Sequence, residues 1–208
     1  MIGMPSGVEA RSIMRFSEYR FLVRADLHRH RGARGWRAFL RHVLMVPGFK
    51  YTFWMRTCAF LGGRGWARLG IYLAARVLLN HYQFKYGFDI PHSTRIGPGL
   101  YLGHFGGVTV QDEAVIGRNC NLSQGVTLGQ ANRGKRRGCP VVGDGVYFRP
   151  GAKVVGKVSI GNDVAVGANC VVTRDIPDHA VVVGIPGEVI SLEGAAGYVD
   201  YTDYGESE

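Results

Sequence analysis

The 208-residue chain lacks any apolar run long enough to cross a bilayer. Arg41, Lys50, Arg56, Arg64, Arg68 and Arg76 break each hydrophobic stretch before it reaches the roughly 18 residues such a helix needs. Nothing near Met1 has the form of a signal peptide. The first apolar stretch is short, and Arg11, Arg15, Arg20 and Arg24 interrupt the region after it, so a cytoplasmic protein is expected. Cysteine is scarce: Cys58, Cys120, Cys139 and Cys170 are widely spaced and form no Cys-x-x-Cys pair, which argues against a disulfide framework or a zinc knuckle. Histidine is equally thin in the second half of the chain. Only His92 and His104 fall between residues 83 and 178, too few for a three-histidine metal centre, so no metal is expected.

Acidic residues are missing from one end in particular. Residues 1–89 hold 15 Lys/Arg and 4 Asp/Glu, whereas residues 90–208 hold 10 and 12, so the net charge of +9 belongs to the N-terminal segment. Nucleic acid is a poor partner for it, because no helix-turn-helix spacing, RNP-like pattern or zinc-finger arrangement accompanies the arginines. Two readings remain open: peripheral membrane contact through residues 36–82, which are apolar, aromatic and Arg-punctuated, or helices that pack on the rest of the protein and turn arginines to solvent.

What the sequence does have is a period of six. Val142, Phe148, Val154, Ile160, Val166 and Val172 form one apolar series, and Val146, Ala152, Val158, Val164, Cys170 and Ile176 a second. Helices repeat near 3.6 and strands near 2, so two nested six-residue series mean a chain that turns a corner every six residues. The frame extends back through Leu128, Leu122, Ile116 and Val110 and, after a two-residue slip, through Leu102 and Ile96. Leu128 and Val142 are fourteen apart where six would continue the coil, so eight extra residues bulge within Gly129 to Val141 and flank a site. Gly often follows the inward residue, and Asn119, Asp144, Asn162, Asp163 and Asn169 suit the corners. Cys120 and Cys170 fall on the inward series and read as core.

The spacing predicts a mainly β protein with an N-terminal helical region. Helices are expected at Phe16 to His28, about Trp36 to Leu44, Tyr51 to Leu61 and Trp66 to Tyr82, with breaks at Pro47-Gly48 and Gly62-Gly63. The chain divides into three segments: a basic helical region over 1–86, a solenoid over 87–190 whose regular pattern Pro177 ends, and an acidic tail over 191–208. That tail has Glu193, Asp200, Asp203, Glu206 and Glu208 and no basic residue, so it is expected to be mobile, with Tyr198, Tyr201 and Tyr204 its only docking groups.

The repeat resembles that of the hexapeptide-repeat acyltransferases, whose fold is a left-handed parallel β-helix. Asp89-Ile90 through Ile96-Gly97, His104-Phe105-Gly106-Gly107, Gln124 to Gly129 and Val183-Gly184-Ile185-Pro186 are similar to serine acetyltransferases and their relatives from surface-polysaccharide gene clusters. The resemblance implies an acetyl-CoA-dependent O-acetyltransferase with His104 as general base and Asp89, fifteen residues earlier, orienting it. An imidazole suits that task because its ordinary pKa lies near 6.5. It also implies a homotrimer or dimer of trimers with CoA between subunits, near Thr127, Gly129 and Ala168, with Arg149 and Lys153 placed to meet CoA phosphates.

At the acceptor end the sequence departs from the serine enzymes. Where they carry an Asp before the His and an Arg-His pair before the loop's last Pro, this chain has Gly103, Gly138 and Cys139. The expectation is therefore a larger acceptor, a sugar of a surface polysaccharide, with Gly103 and Gly138 leaving room and Arg133, Lys135, Arg136 and Arg137 supplying positive charge beside Cys139. Serine O-acetylation in cysteine biosynthesis is the alternative, and a non-catalytic trimeric scaffold a further one.

Overall fold

The computed structural model describes residues 13–62 and 69–205. Arg11, Gly63, Arg64, Trp66, Arg68, Glu206 and Glu208 lie outside the described residues. Four helices open the fold: α1 (Phe16–His28), α2 (Gly35–Met45), α3 (Pro47–Leu61) and α4 (Leu69–Tyr86). Pro47, expected to separate two helices, is instead the first residue of α3. Its missing N–H costs nothing there, since the first-turn donors have no helical acceptor. The last helix runs four residues past the expected end, to Tyr86, and is followed by Gly87 at φ 66°, where a side chain would meet the Gly107 nitrogen at 3.1 Å.

The helices are seated on the solenoid by buried charge as well as by apolar packing. Asp26 of α1 accepts from Arg56 of α3 and from the backbone N–H groups of Gly99 and Leu100. Arg56 also donates to the Ile96 and Gly97 carbonyls, so one ion pair joins two helices to the first coil. Phe39 and Val43 of α2 pack into a small separate cluster with Phe49 and Phe53 of α3.

The rest is a prism of short parallel strands. The first coil holds β1 (Phe88–Asp89), β2 (Arg95–Ile96) and β3 (Tyr101–Leu102); the second holds β4 (Val108–Val110), β5 (Val115–Ile116) and β6 (Asn121–Leu122). The third holds β7 (Thr127–Gly129), β8 (Val141–Val142) and β9 (Tyr147–Phe148), and the fourth β10 (Lys153–Val155), β11 (Ser159–Ile160) and β12 (Ala165–Val166). A last partial coil carries β13 (Val171–Val172), β14 (Val181–Val183) and β15 (Glu188–Ser191). Through β13 strands three apart pair, and β14 and β15 add to the third sheet, giving the orders β1-β4-β7-β10-β13, β2-β5-β8-β11 and β3-β6-β9-β12-β14-β15. This is a left-handed parallel β-helix.

Register measures the coil directly. Thr109 pairs with Thr127 and Lys153 with Val171, each eighteen residues on, which is three hexapeptides. Asp89 to Thr109 takes twenty and Thr127 to Lys153 takes twenty-six, locating the two-residue slip and the eight-residue bulge. Both six-residue series are buried, from Val110 to Val172 in one and from Cys120 to Ile176 in the other. Each Val, Leu, Ile or Phe among them contributes about 1.5–3 kcal/mol by leaving water.

One corner is built of glycines for a reason of spacing. At Gly143 a Cβ would lie 2.6 Å from Asn162 Oδ1 and 2.7 Å from the Gly161 carbonyl oxygen of the next coil. Beside these glycines Arg118 N donates to Asp144, Asp144 N to Asn162 and Asn162 N to Asp178. Asp144 and Asn162 thus join coils, while Asn119, Asp163 and Asn169 adopt the left-handed conformation, with φ from 53° to 57°.

The regular step ends at Pro177: Ala165 pairs with Val181 sixteen residues on, where Lys153 and Val171 are eighteen apart, and β14 still extends the third sheet with β15 folded back antiparallel on it. The expected mobility of the tail is not what the structure shows. The tail is docked through residue 205. Tyr198 stacks on Tyr147 with ring centres 5.1 Å apart, Asn121 donates to the Tyr198 carbonyl, and Arg29 and Arg34 donate to the carbonyls of Asp200 and Asp203. The tyrosine rings named from the sequence hold it, together with main-chain carbonyls that a count of side chains passes over.

Candidate active site

His104 sits where the repeat is broken. The two surplus residues of the first coil fall between β3 and β4, so Gly103 to Gly107 stand out from the corner joining the third sheet to the first, and His104 is exposed there. Gly106 and Gly107, at φ 114° and 65°, make the bend, and Gly106 is tied to the next coil by the Gly125 N–H at 2.8 Å. Phe105 lies 6.2 Å from the Tyr86 ring, which holds the bend against the end of α4.

Asp89 belongs to the strand alongside. Its register partner Thr109 is followed by Thr127, Lys153 and Val171, so these five form one outward column along the first sheet. Rungs are about 4.8 Å apart, which brings three sequence-predicted residues, Asp89, Thr127 and Lys153, onto one face. The Asp89 carboxylate accepts from Gln83 Nε2 at 2.7 Å, and no hydrogen bond joins it to His104 among the described residues. Lys153 Nζ donates to the Gly125 carbonyl. Gly129 ends β7 opposite Val155, its carbonyl accepting from Gly156 N at 3.0 Å. Ala168 is exposed three coils beyond His104 at the same corner.

Arg149 is not on that face. Its guanidinium lies 4.7 Å over the Tyr198 ring and 6.0 Å from Tyr147, so it belongs to the docking of the tail.

The eight-residue bulge leaves the other edge of the first sheet, between β7 and β8. Ala131 and Gly138 close it by exchanging two N–H···O bonds of 3.0 Å. Arg136, expected to meet substrate, anchors the loop instead: it donates to Asp175 at 2.9 Å and to the Lys157 carbonyl at 3.2 Å. The Ser159 N–H, followed by Arg136, holds the Asp175 carboxyl below its usual range. Arg133 and Arg137 are exposed. Cys139 is buried, and burial, then Glu113 and Asp112, push its thiol up, which disfavours the thiolate a nucleophile needs. Asp112 and Glu113, adjacent acids at the foot of the loop, were passed over in the sequence; their signal was a carboxylate pair at the one corner where the coil bulges.

The geometry therefore offers an exposed imidazole at one edge of a sheet, an arginine-bearing loop and two carboxylates at the other, and a polar column between. Residues 139–174 match the family model described as bacterial transferase hexapeptide (six repeats). Serine acetyltransferase of Staphylococcus aureus strain Mu50 is 37% identical over 123 residues, 59% of this chain and 58% of its own length. The matched part thus spans under two thirds of that relative. The Neisseria gonorrhoeae serine acetyltransferase solved in complex with serine superimposes with a TM-score of 0.66 at 31% identity, covering 83% of this chain and 69% of that one. The chain belongs to the hexapeptide-repeat acyltransferases, and is serine acetyltransferase-like. A further serine acetyltransferase, solved as a complex with CoA, gives a TM-score of 0.63 at 26% identity over 84% of this chain and 69% of that one.

These likenesses overturn the expectation of a polysaccharide acceptor, since the matched relatives are serine enzymes and one holds serine. The acyltransferase's own geometry shows why the argument from small residues misled. A Cβ at Gly103 would already touch the Tyr101 ring at 3.0 Å, and one at Gly138 would touch the Lys157 stem at 3.3 Å. Neither glycine opens space for a sugar ring.

Proposed function

We propose that this chain is a serine O-acetyltransferase, moving the acetyl group of acetyl-CoA to the hydroxyl of L-serine. The 37% identity to serine acetyltransferases carries the proposal, and the exposed His104 beside the Asp89 column supports it. In this reading His104 takes the proton of the serine hydroxyl as its oxygen attacks the thioester carbonyl. The tetrahedral intermediate then collapses, the C–S bond breaks, and His104 returns the proton to the departing CoA sulfur. Asp89 exchanges Gln83 for the imidazole and stabilises the imidazolium.

Thr127, Gly129 and Ala168 are assigned to the pantetheine arm, and Lys153 to its polar end. Serine is a zwitterion, so with Gly103, Gly138 and Cys139 unable to bind its charges, Arg133 and Arg137 are the cations for its carboxylate and Asp112 and Glu113 the anions for its ammonium. The width of the first sheet, on the order of 10 Å, separates these groups from His104 within one chain. A homotrimer, or a dimer of trimers, would set the loop of one copy beside the His104 corner of the next.

The test is thiol release from acetyl-CoA with and without L-serine. Serine-dependent release that falls about 10²- to 10⁴-fold in His104→Ala is expected. Release that ignores serine, or survives the substitution, rejects the assignment, and no release with serine at all returns the chain to a scaffold.

A further inference from the structure

Among the described helices α2 is the one with no buried residue. Phe39 and Val43 lean on α3, but Trp36, Leu40 and Leu44, spaced four apart, form a single outward stripe that is 68%, 46% and 66% exposed, with Met45 at 74%. Arg37 and Arg41 are exposed on the row beside it, and the Arg37 guanidinium lies 5.6 Å over the Trp36 ring. Scattered exposed hydrophobic residues are ordinary; a line of three along one helix marks a contact surface.

Charge selects the occupant. From Leu27 to Phe88 the sequence contains no Asp or Glu and eleven Lys/Arg. A second copy docking by a two-fold axis would set Arg37 and Arg41 against their own counterparts, with no acid in the segment to separate them. A layer of anionic headgroups complements the arginines and accepts the stripe as well. Trp and Leu beside Arg are what an in-plane interfacial helix presents, and no described helix is long and apolar enough to cross a membrane.

We infer that α2 seats the protein on an anionic phospholipid surface, with Trp36, Leu40 and Leu44 at the boundary of headgroups and acyl chains and Arg37 and Arg41 on lipid phosphates. The inference rests on α2 alone and stands whether or not serine is the acceptor.

Flotation of the full chain with vesicles of phosphatidylcholine alone, or of phosphatidylcholine mixed with phosphatidylglycerol, tests it. The wild type floats with the anionic vesicles only, and added salt releases it. Arg37→Gln/Arg41→Gln partitions roughly 30-fold more weakly, from the contribution of each cation near such a surface, and Leu40→Ser/Leu44→Ser does not float. Circular dichroism and the solution mass of both variants stay at wild-type values. Equal binding to both vesicle types, no binding to either, or a fall in solution mass in Leu40→Ser/Leu44→Ser, which means a second copy covers the stripe, each overturns the inference.

Discussion

Replacing Arg56 by Met removes the centre of the helix–solenoid junction. The Arg56 and Asp26 side chains are 5% and 1% exposed. Arg56 donates through Nε and Nη2 to the two Asp26 oxygens at 3.0 and 3.3 Å, through Nη1 to the Ile96 carbonyl at 2.7 Å and through Nη2 to the Gly97 carbonyl at 2.6 Å. Burial pushes the Asp26 carboxyl up from its ordinary value, while the Arg56 charge, the Arg56 hydrogen bond and the Leu100 and Gly99 N–H groups pull it back. Without Arg56 that carboxyl and two carbonyls are left dry, a loss of about 3–5 kcal/mol for breaking one half of a buried pair. At about 2–4 °C per kcal/mol for a chain of this size, the melting temperature falls by roughly 10 °C.

The assay is urea denaturation followed by circular dichroism at fixed protein concentration, in a double-mutant cycle with Asp26→Asn. The amide keeps an acceptor for the Gly99 and Leu100 N–H groups, at 3.0 and 2.9 Å, but carries no charge, so Arg56→Met/Asp26→Asn loses less than the two single substitutions added together. A cost below about 1 kcal/mol for Arg56→Met, the scale of an exposed pair, or strict additivity in the cycle, would refute the argument that buried charge seats the helices.

Gly143→Ala forces a methyl into the 2.6 and 2.7 Å gaps to Asn162 and Gly161 and should cost about 1–3 kcal/mol in the same assay, whereas Gly70→Ala, with nothing within 4 Å, should be neutral or slightly stabilising. His30, among Tyr101, Phe49 and His42, has its imidazole lowered to about 4, first by burial and then by His42 and Arg29. Its folded value lies below the ordinary 6.5, so the unfolded chain binds the extra proton and the associated stability, at most about 3 kcal/mol, is present above pH 6.5 and lost as pH falls toward 4. His30→Phe should flatten a stability-versus-pH curve across that window; an unchanged slope would rule the group out.

How much was legible depended on how local the cause was. The inward series from Val110 to Val172, the slip near His104 and the bulge after Gly129 all appear as spacings in the chain, because each coil repeats the same six-residue step. Arg136 could not be read that way: its partner Asp175 is 39 residues distant, and without it the loop is a uniform run of cations. Gly103 and Gly138 were misread for a similar reason, since whether a glycine leaves space depends on Tyr101 and Lys157. The Asp89 column was half legible. The fifteen-residue interval to His104 is in the sequence, but the alignment of Asp89 with Thr127 and Lys153 appears only in the register.

The sequence by itself determined the kind of architecture: a period of six with small residues at the corners admits a coil that turns every six residues and no helix or flat sheet, and an acid-poor opening segment makes the helical region basic. That three such sides close one coil is seen in the eighteen-residue register. Tertiary structure decided which polar groups remain available for chemistry. Arg56 and Arg29 are consumed inside, Arg136 by Asp175 and Arg149 by Tyr198, while His104, Arg133 and Arg137 stay exposed. Periodicity records which side chains point inward; it carries no information about which outward ones meet another segment of the chain, because those partners are brought together only when the coils stack.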